Sequence, residues 1–60
     1  MKLQILKDGQ EIATGEVVGF ITVPGRGEKV FIASDEDGKV RGYDLVRHEA
    51  VRRMPGRKSG

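Results

Sequence analysis

Clusters of turn-forming residues cut this chain into short runs rich in β-branched side chains, and that alternation restricts it to an all-β fold. The clusters are Asp8-Gly9, Pro24-Gly25-Arg26-Gly27, Asp35-Glu36-Asp37-Gly38 and Pro55-Gly56. Lys2 to Lys7 alternates, with Leu3 and Ile5 on one face. Asp8-Gly9 tolerates positive φ, which a two-residue hairpin turn needs if it is to match strand twist. Gln10 to Thr14 is the expected return strand, with Ile12 facing inward. Glu16 to Val23 is apolar on both faces, with Val17, Ile21 and Val23 on one and Val18 and Phe20 on the other. This predicts a strand buried on both sides, with Gly15 and Gly19 as points for a bulge or a corner. Pro24 sets φ for the next turn, and Gly25 accepts the positive φ of its second central position. Lys29 to Ser34 sets Val30 and Ile32 against Phe31 and Ala33, and Lys39 to Leu45 is the fourth long β run. Val46, Ala50 and Met54 lie four apart, as in a helix, but Val51 to Met54 also suits a short closing strand after one 3₁₀ turn.

Such strands in about 50 residues are too few for an ordinary two-sheet sandwich, but they can curl into a small SH3-like barrel. The expected architecture has four to five strands, a short C-terminal helical turn and a basic tail, with residues 1–54 as the barrel and 55–60 as a flexible tail. An OB-like barrel is the nearest alternative, but no helical period stands between the third and fourth strands. The chain has 60 residues and its core draws mainly on seven Val and four Ile, so the core must be thin. Scaffolds of this size often lean on disulfides, metal or self-association. The absence of Cys excludes disulfides and thiolate zinc sites, and one His cannot replace them, which leaves homo-oligomerisation as the available support. No metal and no cofactor is expected. No long apolar span and no secretory leader is legible, so the expected address is cytoplasmic, without membrane association.

The net charge of +2 hides an asymmetry. Residues 1–46 carry six basic and eight acidic side chains, whereas residues 47–60 carry Arg47, Arg52, Arg53, Arg57 and Lys58 against Glu49 alone. A clustered cationic segment attracts polyanions, with nucleic acid the obvious class; the plain alternative is a solvated tail that keeps the domain soluble. Arg41 and Tyr43 lie two apart and share one face of a strand, which pairs a guanidinium with a ring as nucleobases require. The competing reading packs Tyr43 into the core with Arg41 as its cover.

The other motifs read as structure. Asp35 to Gly38 lacks the first ligand of a calcium loop, since Ala33 falls at that position, and it is expected to be a hairpin turn. His48 has no recognisable nucleophile and orienting carboxylate around it and reads as a surface residue. Gly25-Arg26-Gly27 has neither P-loop nor dinucleotide spacing, although Arg26 at a loop tip is placed to meet an anion.

Gly15-Glu16-Val17-Val18-Gly19-Phe20, followed after a turn-rich middle by Val40-Arg41-Gly42-Tyr43, resembles the plasmid-encoded type II dihydrofolate reductases. The resemblance covers roughly residues 7 to 46 and implies an SH3-like barrel assembled as a homotetramer around a pore that binds folate and NADPH. It assigns ligand contacts to Lys7 and Tyr43. Arg41 and Gly42 stand where that family has its pore-lining Gln and Ile, and Ala13 falls near its interface Trp.

Three functions compete. The leading expectation is a non-enzymatic SH3-like module that binds nucleic acid through Arg41, Tyr43, Arg47, Arg52, Arg53, Arg57 and Lys58. The second is a protein-binding adaptor or inhibitor of phage or plasmid type, using a barrel edge or an apolar patch. The third is the reductase, which would need a symmetric oligomer.

Overall fold

The computed structural model describes residues 1–53, so Met54, the expected tail 55–60 and the candidate contacts Arg57 and Lys58 lie outside the described residues. Five strands form one antiparallel sheet: β1 (Lys2–Lys7), β2 (Gln10–Val23), β3 (Gly27–Ser34), β4 (Val40–Asp44) and β5 (Glu49–Arg53). Their order is β4-β3-β2-β1-β5, which leaves β4 and β5 at the two edges. The chain is therefore all-β. No helix occurs among the described residues, and none is long and apolar enough to cross a membrane.

The first two turns follow the expected chemistry. Lys7 pairs with Gln10, so Asp8 and Gly9 make a two-residue loop with φ of 53° and 80°, both positive as a type I′ turn demands. After Pro24, Gly25 sits at φ 76°, and the Arg26 N–H donates to the Val23 carbonyl at 2.9 Å. An L-residue with a side chain would be strained there. Asp35 to Gly38 is a hairpin connection, closed by the Gly38 N–H donating to the Ser34 carbonyl at 2.8 Å and the Ser34 N–H donating to the Lys39 carbonyl at 2.9 Å.

The core consists of Leu3 and Ile5 from β1 and Val30 and Ile32 from β3. These strands are not neighbours, because β2 runs between them. On that face β2 offers Ala13, Gly15 and Val17, opposite Ile5, Leu3 and Ile32 respectively. Small residues in the middle strand let the larger side chains on either side close over it. Gly15 marks the tightest point: an ideal Cβ there would stand 2.1 Å from the Ala33 carbonyl oxygen, which belongs to rigid backbone. Gly15 is thus required by close approach, and of the two glycines expected to mark a bulge it is Gly19 that adjoins one. Ala13, Val17, Tyr43, Leu45 and Ala50 complete the periphery of the core.

Several expectations are corrected. Gln10–Val23 is one 14-residue strand, not two segments. It contains two irregularities, one between Glu11 and Ala13 and one between Val17 and Gly19. Ile12 and Val18 are the residues left without a partner in the ladder, and both are about half exposed, at 50% and 56%. Ile12 therefore does not face inward, because the extra residue hands its place to Ala13. Nor is Glu16 to Val23 buried on both sides, since Phe20 and Ile21 are also exposed. The sheet has one packed face, and its outer face carries Phe31, whose ring leans over Gly42, together with Ile21 and Val40. Finally, the segment left open between helix and strand holds no helix: a single hydrogen-bonded turn over residues 45–47 leads into the strand β5.

That turn is organised by Asp44. Its Oδ1 accepts from the Arg47 N–H at 2.7 Å, and its carbonyl accepts from the His48 N–H at 3.2 Å and from the His48 ring Nδ1 at 3.0 Å. The carbonyl can only accept, so Nδ1 carries the proton. The His48 ring also meets Tyr43 edge-on, with centroids 5.5 Å apart. His48 is therefore a half-buried packing residue, not the surface residue expected.

Candidate nucleic-acid interface

Grooves of opposite character open among the described residues. The first is bounded by the β2–β3 turn and the β4–β5 turn, encloses about 630 Å³ and includes Val23, Arg26, Lys29, Asp44, Val46 and Arg47 among its lining residues. The sequence separates Arg26 from Arg47 by 21 positions. The antiparallel register brings them together, because Lys29 pairs with Asp44 across β3 and β4 and the Leu45 N–H donates to the Glu28 carbonyl at 2.8 Å. Both turns then project from the same end of the sheet.

Three cations line this groove against Glu28 and Asp44. Asp44 spends one carboxylate oxygen on the Arg47 N–H, and that hydrogen bond, reinforced by the charges of His48 and Arg47, holds its carboxyl below the ordinary value of 3.8. It stays ionised across the neutral range. Lys29 is half-buried, with its ammonium 5.9 Å from the Phe31 ring centroid, within reach of a cation–π contact. Arg26 is exposed at the turn tip. Among the described residues, neither Arg26 nor Arg47 has an ion-pair partner within 4 Å.

The second groove, about 420 Å³, lies over the opposite end of the sheet and includes Glu11, Ile12, Thr14, Glu36, Arg41 and Tyr43 in its lining. Arg41 and Tyr43 therefore do share a face, as their spacing required. Arg41, however, is engaged by Asp37 through two parallel contacts, Nη2 to Oδ2 at 2.9 Å and Nη1 to Oδ1 at 3.3 Å. Hydrogen bonding to this guanidinium, helped by the Lys39 N–H, pulls the Asp37 carboxyl down to about 2. The same pairing raises Arg41 above its ordinary value. With Arg41 neutralised by Asp37, Glu11 and Glu36 make this groove acidic. Tyr43 packs against the core and meets His48 edge-on, as the core half of the alternative reading has it, while Arg41 lines the same groove with its guanidinium held by Asp37.

The remaining candidates scatter. Arg52 pairs in register with Leu3 on the β5 edge, and Arg53 sits opposite Lys2 with Nη1 3.8 Å from Glu11 Oε1. Neither lines the groove that holds Arg47. Lys29 was not singled out by sequence reasoning, although its place in strict alternation opposite Val30 put it on the outward face. Arg26 was legible as a loop tip. Lys7 ends β1 at the first hairpin and lines neither groove, whereas Tyr43 lines the acidic one. No group of three or more His, Cys, Asp or Glu side chains able to hold a metal occurs among the described residues. Compared with family models, curated proteins and solved structures, the chain gives no significant match.

Proposed function

We propose that this chain is a small SH3-like binding module that engages nucleic-acid phosphates through the groove between its β2–β3 and β4–β5 turns. The observation that carries this reading is the convergence of Arg26, Lys29 and Arg47 on that groove. Two guanidiniums and an ammonium lining one groove can neutralise backbone phosphates, and such contacts act mainly through counterion release. The barrel reading draws its support from the meander order with β5 returning beside β1, and from the two bulges that sharpen the coil of β2. Binding through three phosphate contacts is weak and salt-sensitive, as befits a positioning contact without base readout.

The test is fluorescence anisotropy of a labelled DNA duplex and of a single-stranded RNA over a range of salt concentrations. For the duplex, three contacts predict a log affinity against log salt slope of about −2 to −3, and Arg26→Ala or Arg47→Ala should each reduce its magnitude by about 1. No binding of either probe in dilute buffer, or a slope indifferent to both substitutions, would sink the reading.

A further inference from the structure

The acidic groove calls for a different partner. Glu36 is exposed and its carboxylate has no ion-pair partner within 4 Å among the described residues, while Glu11 shares its carboxylate with Gln4 Nε2 and, at 3.8 Å, with Arg53. Beside these carboxylates the half-buried Tyr43 ring forms part of the wall, and Ile12, turned out of the ladder by the β2 bulge, stands 50% exposed. Carboxylates, an aromatic wall and an apolar rim together suit a long cationic side chain, which lays its methylene stem on apolar surface and presents its charged head to carboxylates and ring. A phosphate would be repelled from the same place.

The edge of the sheet lies next to it. Arg41 and Tyr43 belong to β4, and β4 pairs only with β3 among the described residues. One row of its backbone N–H and C=O groups is thus open to an added strand. We infer that this groove and the β4 edge together form a docking site for an extended basic peptide, its main chain paired with β4 and a Lys or Arg side chain seated between Glu11, Glu36 and Tyr43. The alternation of a strand fits this, since every second side chain of the added segment points to the groove side.

The experiment titrates isotope-labelled protein with a peptide of about six residues alternating valine and lysine, roughly the length of one strand. Its valine–glutamate counterpart serves as the control. The expected result is amide shift changes at Thr14, Glu36 and Arg41–Asp44, slowed amide exchange along β4, and no response to the glutamate peptide. Glu11→Gln with Glu36→Gln keeps the side-chain shape and one acceptor oxygen on each residue while removing the charge, and should weaken binding about tenfold. An unchanged amide spectrum away from the two sites would show that this double variant is folded. Equal binding of both peptides, shifts confined to Arg26, Lys29 and Arg47, or indifference to the double substitution would each overturn the inference. The nucleic-acid reading rests on Arg26, Lys29 and Arg47, none of which lines the acidic groove, so either can fail alone.

Discussion

At the scale of single residues, the pairing of Arg41 with Asp37 decides what the second groove can bind. A bidentate arginine–carboxylate contact fixes both partners and removes the guanidinium from the pool of cations open to a ligand. Asp37 is held at about 2, below its ordinary 3.8, chiefly by hydrogen bonding to Arg41. A carboxyl depressed in the folded state contributes stability that is fully present above its unfolded value and is lost as pH falls through the folded one. The contribution from this pair therefore disappears between about pH 4 and pH 2, and because both groups are exposed it is also screened by salt. Arg41→Gln should let the Asp37 carboxyl rise toward its ordinary range, which side-chain carbon chemical shifts followed against pH would report. An unmoved titration would assign the depression to the Lys39 N–H instead.

At the scale of elements, the turn between β4 and β5 sets the position of Arg47, and Asp44 sets the turn. Asp44→Ala removes the acceptor of the Arg47 N–H, while Asp44→Asn retains one. The alanine variant should show a lower urea midpoint with an unchanged slope, and the asparagine variant should recover most of the loss. Equal losses would point to charge rather than hydrogen bonding. The elements themselves were largely legible, because Asp-Gly, Pro-Gly and alternating β-branched runs each carry a local signal that the structure repeats. The misplaced side chains of β2 share one cause. Ile12 and Val18 obey the alternation on paper, but each bulge inserts a residue and so breaks the period; Gly19 marks the second bulge, whereas no local pattern announces the first. The candidate residues do not come together in one place: sequence clustering groups Arg47 with Arg52 and Arg53, whereas antiparallel pairing sends Arg47 toward Arg26 and Lys29 and leaves the other two on β5 beside β1. Charge along a chain describes a patch only where the chain stays local.

At the scale of the whole molecule, stability hangs on very few side chains, since Leu3, Ile5, Val30 and Ile32 are the only large hydrophobic residues buried among the described residues. Ordinary domains hold about 0.05–0.15 kcal/mol per residue, which for a chain of this length gives roughly 3–9 kcal/mol. Truncating a buried isoleucine to alanine costs about 2–5 kcal/mol, whereas removing one methyl group costs about 0.5–1.5 kcal/mol. Ile5, with no exposed surface, is the sharpest probe because it faces both Ala13 and Ala50, neither of which has the volume to fill the space left behind. Ile5→Ala should therefore be largely unfolded in water by circular dichroism and amide dispersion, while Ile5→Val should fold with a lowered denaturant midpoint. If the alanine variant kept a cooperative transition near that of the parent, the stability would have to come from somewhere other than this core. The exposed face around Phe31, Ile21 and Val40 would then be the first place to look, through the concentration dependence of the transition in the parent chain.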